Sequence, residues 1–213
     1  MTFSRDERLA LCDLLLQLGP HAPTLCDGWS TQDLAAHLWV RENDPVALPG
    51  ILTEPLATLT QQRMERAIRR HGFAELVAQV RRGPARHSPF RLPGVDQQGN
   101  AAEYFVHHED VRRAQPGGAA PRRLGQAAQT LCATRLASLG PALLRGAPVG
   151  VVAVRTDGPA RSTVLKPGQP SVEVHGLPSE LLLFAFGRGS HAAVELHGPE
   201  QAVAQLRAAS FGI

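Results

Sequence analysis

The apolar residues of this chain recur at helical spacing as far as Gly140, and at strand spacing from Val149 onward. Side chains on a helix return to one face every 3.6 residues, those on a strand every second residue. A chain that changes period once, from the first to the second, belongs to the α+β class, with helices and strands in separate blocks. Gly140-Pro141 and Gly146-Ala-Pro148 mark the change. The expected domains are therefore a helix bundle over 1–140 and a small α+β domain over 147–213.

The first block divides at its stop signals. Ser4-Arg-Asp-Glu7 has the form of a capping box and opens a helix carrying Leu9, Leu11, Leu14, Leu15, Leu16 and Leu18, closed by Gly19-Pro20. Ser30 or Thr31 caps a second helix through Glu42, with Leu34, Ala35, Leu38 and Trp39 on its apolar stripe and His37 beside it. A loop with Pro45 and Pro49 follows. A third helix covers Leu56 to Arg70 and ends at Gly72, and a short one runs from Phe73 to Val80. The piece from Arg82 to Gln98 is irregular, with Pro84, Pro89, Pro93 and Gly94. A helix begins at Asn100, and a last one runs from Pro121 to about Gly140. These add up to a four/five-helix bundle. In the second block, strands at 149–156, 161–165, 171–175 and 192–196 alternate with turns, and helices start at Pro178 and Glu200. The expected sheet is mostly antiparallel with two helices on it.

The helix from Asn100 carries most of the chemistry. Asn100 and Glu103 match a capping box, and Arg112 and Arg113 sit where the helix dipole favours cations. Glu103 and His107 stand four residues apart and share a face, with Asp110 three further on. A carboxylate and an imidazole side by side offer two ligands to a divalent metal. The third must come from elsewhere in the bundle, and His37 is the best candidate. Asp110 is placed to accept the other imidazole N–H of His107. His108 and Glu109 fall off that face and are expected at the surface or an interface. Trp29 packs the loop before the His37 helix against the bundle. Cys26, in the same loop, is expected to be a free structural thiol.

Charge and composition narrow the function. The net charge of +3 is spread along 213 residues, which gives no footprint for nucleic acid. The N-terminus is polar and no apolar run nears membrane length, so a soluble cytoplasmic protein is expected. Three cysteines without paired spacing fit a reducing compartment. Arg188 follows the Gly that ends a helix. It could grip an anionic substrate or donate to the helix's last carbonyls; Arg41 and Arg112 are weaker anion candidates.

The stretch Thr24-Leu-Cys-Asp-Gly-Trp-Ser-Thr-Gln-Asp-Leu-Ala-Ala-His37-Leu, followed by Glu103-Tyr-Phe-Val-His107-His-Glu-Asp110, resembles the DinB-like metalloprotein superfamily. Within it the match is to the mycothiol-dependent maleylpyruvate isomerase branch. Pro178 to Arg188 resembles a segment of the sterol-carrier-like domain found behind that bundle. The resemblance implies metal ligands at His37, Glu103 and His107, with zinc expected and nickel, iron or manganese also suited to the donor set. It implies an enzyme that brings a low-molecular-weight thiol such as mycothiol or bacillithiol to a small, anionic substrate, as a thiol transferase or isomerase. The alternatives are a metal-dependent hydrolase, with Glu109 or Asp110 as base, and a non-catalytic metal- or small-ligand-binding stress protein. No catalytic residue is assigned, and both a monomer and a homodimer are compatible with the chain.

Overall fold

A computed structural model describes residues 2–44, 57–85, 88, 95–159 and 161–212. Among them are seven helices and four strands, an α+β fold. They form two compact units, Met1–Ala119 and Ala120–Ile213.

The first unit holds four helices: α1 (Phe3–Leu18), α2 (Thr31–Asn43), α3 (Ala57–Arg82) and α4 (Val95–Arg113). Helix α1 packs on α4 and α3, and α2 packs on α3. Leu11, Leu15, Leu34, Leu38, Met64, Leu76 and Tyr104 are the large buried side chains of their common core. Ser30 and Asp33 form a reciprocal capping box at the start of α2. The expected break at Gly72 is present, because its φ of 69° and ψ of 168° interrupt α3 in a region that suits glycine. The loop with Pro45 and Pro49, the helix start at Leu56, and Pro89, Pro93 and Gly94 lie outside the described residues.

Two expected caps are not caps. Helix α1 starts at Phe3 with Thr2 accepting from the Arg5 N–H, while Ser4 and Glu7 are buried within it. Helix α4 starts at Val95, so Asn100 lies inside the helix, fully buried. Every residue from Asn100 to Arg113 is buried or half-buried. His108 and Glu109 are therefore not surface residues: His108 Nδ1 pairs with Glu7 Oε2 at 2.9 Å, and Glu109 takes Arg113 Nε at 2.6 Å.

The second unit contains α5 (Gln126–Leu143), β1 (Gly150–Arg155), β2 (Arg161–Lys166), β3 (Ser171–Gly176), α6 (Pro178–Ala185), β4 (Val194–His197) and α7 (Glu200–Ala208). The strand order is β2-β1-β3-β4. Its outer pairs are antiparallel and the central β1–β3 pair is parallel. Helix α5 starts at Gln126, later than Pro121, and packs on α6 and β2. The division between units thus falls at Ala119/Ala120 and not between 140 and 147. The Gln129 side chain explains the attachment: its Oε1 accepts from the Ser179 N–H at 3.0 Å and its Nε2 donates to Ser179 Oγ at 3.2 Å. It serves the N-terminus of α6, whose own N-cap residue, Leu177, has no side-chain cap.

Candidate metal centre

His37 comes from the middle of α2, and Glu103 and His107 from successive turns of α4. Glu103 Oε1 lies 3.0 Å from His37 Nε2 and 3.2 Å from His107 Nε2. One ligand atom from each residue falls within a 4.8 Å cluster. Arg41, one turn beyond His37, brings its Nε to 3.4 Å from the same carboxylate oxygen. The Trp29 ring packs against His37 at a tilt of 46°, with centroids 4.9 Å apart.

The far side of His107 is also held. Its Nδ1 lies 3.0 Å from Asp110 Oδ2. Cys26 donates its thiol proton to the same oxygen at 3.3 Å, and Sγ lies 3.8 Å from Nδ1. The loop carrying Cys26 is pinned to α4 by the Leu25 N–H donating to Asp110 O at 3.2 Å. It is closed on itself by Thr24 Oγ1 donating to Trp29 O at 2.9 Å. Cys26 therefore belongs to the cluster's surroundings. No local spacing shows this, because Cys26 and His107 lie 81 positions apart.

The electrostatics follow from these partners. Both ring nitrogens of His107 face carboxylates, which only accept, so the ring is doubly protonated when the carboxylates are ionised. Burial alone would lower its pKa, but the hydrogen bonds to Asp110, Cys26 and Glu103 outweigh that and raise it well above the ordinary value. Burial alone would likewise raise the Glu103 carboxyl. The Arg41 charge and the hydrogen bonds from His107 and His37 hold it well below its usual range. His37 is lowered by its burial, against the partial pull of Glu103.

The donor set suits a divalent ion. Ligand atoms about 2.1 Å from a tetrahedral zinc stand about 3.4 Å apart, close to the oxygen–nitrogen separations found here. The Asp110 carboxylate on His107 Nδ1 is the outer partner that metal-bound imidazoles commonly have. His37 differs, since its buried Nδ1 has no hydrogen-bond partner among the described residues.

The other candidates have partners of their own. Arg112 binds both oxygens of Glu109, at 2.8 and 3.0 Å. Arg188, in the second unit, donates Nη1 to Phe186 O at the end of α6. Among the described residues no helix is long and apolar enough to cross a membrane.

No family model matches the chain, and no curated protein matches it. Two solved structures do. The crystal structure of the mycothiol-dependent maleylpyruvate isomerase is 19% identical, with a TM-score of 0.51 over 94% of this chain and 98% of that one. A histidine-to-alanine mutant of that enzyme has the same identity and coverage, with a TM-score of 0.47. The α+β fold expected from the resemblance is thus the fold of that enzyme.

Proposed function

We propose that His37, Glu103 and His107 hold a divalent metal, zinc first among the candidates, and that the protein is an enzyme using a low-molecular-weight thiol on a small anionic substrate. The observation that carries the reading is the convergence of two imidazole nitrogens and one carboxylate oxygen, from two helices, with His107 held from behind by Asp110. The fold shared with a mycothiol-dependent isomerase supports the thiol. Bound there, the metal would act as a Lewis acid, lowering the pKa of a thiol or polarising a substrate oxygen.

The chain's own side chains set up the site. Asp110 holds a proton on His107 Nδ1, so that Nε2 is the nitrogen that would give up its proton to take a metal. Arg41 keeps Glu103 ionised. Trp29 packs its ring against the His37 imidazole. The hydrolase alternative gains nothing from Glu109, whose two oxygens are engaged by Arg112 and Arg113.

Purified protein analysed for metals, followed by thermal shift with mycothiol or bacillithiol in metal-loaded and metal-stripped forms, tests the reading. Stoichiometric metal and stabilisation by thiol only in the loaded form are expected. A loaded protein indifferent to thiols, but hydrolysing esters or amides, would replace the thiol reading with the hydrolase one. Protein that takes up no metal would end both.

A further inference from the structure

Near the end of α2 lies a further buried carboxylate, Glu42, 3% exposed. Its Oε2 accepts from Arg8 Nη1 at 2.7 Å. Its Oε1 accepts from Arg8 Nη2 at 2.8 Å, Asn100 Nδ2 at 2.8 Å and Tyr104 Oη at 2.9 Å. Asn100, fully buried, stands between this carboxylate and the Arg41 guanidinium, whose Nη1 donates to Asn100 Oδ1. An ionised carboxylate can only accept and a guanidinium can only donate. The amide must therefore turn its oxygen to Arg41 and so its NH2 to Glu42, since the flipped orientation would set an NH2 against a guanidinium. Arg41 in turn brings Nε to the Glu103 oxygen that both imidazoles face.

We propose that Asn100 is a positioning residue for the Glu103 carboxylate: anchored on Glu42, it holds the Arg41 guanidinium against the oxygen shared by His37 and His107. Arg41 has a long side chain with many rotamers, and a charge near a ligand tunes that ligand only if its place is fixed. The inference rests on the cluster being a metal site.

Cobalt provides the probe. Wild type, Asn100→Ala, Arg41→Met and Tyr104→Phe are stripped, loaded with Co2+, and compared in affinity by competition with a chelating dye and in their visible d–d bands. Tyr104→Phe removes one donor from Glu42 but leaves the Asn100–Arg41–Glu103 line in place. Loss of an outer-shell partner weakens metal binding by about 10–100-fold, so that range is expected for Asn100→Ala and Arg41→Met, with altered bands, and less than about threefold for Tyr104→Phe. If Asn100→Ala does not fold, Asn100→Ser, which keeps a polar side chain too short to bridge Glu42 and Arg41, replaces it against the same limits. Wild-type affinity and bands in the folded variants overturn the inference. So does an equal loss in Tyr104→Phe, since the network would then act only as packing. A wild type that binds no cobalt removes the metal reading itself, and the inference with it.

Discussion

From Asn100 onward helix α4 has no exposed residue, like α6, and the two are built from opposite materials. From Asn100 to Arg113, α4 encloses Asn100, Glu103, His107, His108, Glu109, Asp110 and Arg113. All eight residues of α6 are buried, and after Ser179 and Glu180 they are Leu181, Leu182, Leu183, Phe184 and Ala185. Glu180 is used at once, accepting the Ala193 N–H at 2.8 Å. Burial of apolar side chains stabilises a fold directly, whereas a buried charge must be matched by partners before it stops being a cost. The α4 helix recruits those partners from α1, α2 and the Cys26 loop, through Glu7, His37, Glu42 and Cys26. The candidate centre lies among these buried polar groups, whereas α6 reads as packing.

The largest test of that contrast is His107→Ala. Stoichiometric metal should be lost altogether by elemental analysis, and full retention would remove His107 from the centre. Next comes Glu42→Ala, which leaves the Arg8 guanidinium buried without its carboxylate. A cost of about 3–5 kcal/mol in denaturant unfolding of the metal-free protein is expected. Leu182→Ala should cost about 2–5 kcal/mol by the same measurement, yet leave metal content unchanged. A fall in metal content there would blur the distinction between the two helices. Metal binding near neutral pH should release protons, because His107 is raised well above its ordinary value and must give up the Nε2 proton. Affinity then rises with pH, and calorimetry in buffers of different ionisation enthalpy reads the release; zero release contradicts the protonated ring. The smallest effect concerns Cys12, whose thiol burial pushes up to about 12 from 9.0. The stability linked to that shift is whole below pH 9.0 and is lost as pH rises toward the folded value. Alkylation at pH 8 should mark Cys26 and spare Cys12 until the protein unfolds, and early labelling of Cys12 would show that α1 opens locally.

What could be seen in the sequence was mostly what local spacing controls. The pairing of Glu103 with His107, the Ser30 start of α2, the Gly72 break and the change from helix to strand all depend on neighbours within a few positions. Ser4 to Glu7 and Asn100 to Glu103 show how that logic misleads. Both have the spacing of a capping box, and in both the polar residues serve partners far away: Glu7 meets His108 and Asn100 meets Glu42, 101 and 58 positions off. Periodicity located α5 as a helix but could not say which unit it packs on, since the Gln129–Ser179 bonds span 50 positions. Cys26 stayed out of view for the same reason. Helical geometry sets His108 and Glu109 off the Glu103–His107 face, toward the surface or an interface, but from Asn100 to Arg113 no residue of α4 is exposed.

The Gln129 contact has a bearing on descent. A helix that lends its amide to the start of another is inherited with it, so any exchange of modules between chains has to cut before Gln126. A cut in the Gly- and Pro-rich run around 140–148, where the composition invites one, would transplant α6 with its first turn unsatisfied. A cut between Arg113 and Gln126 would instead keep Gln129 together with the Ser179 that it serves.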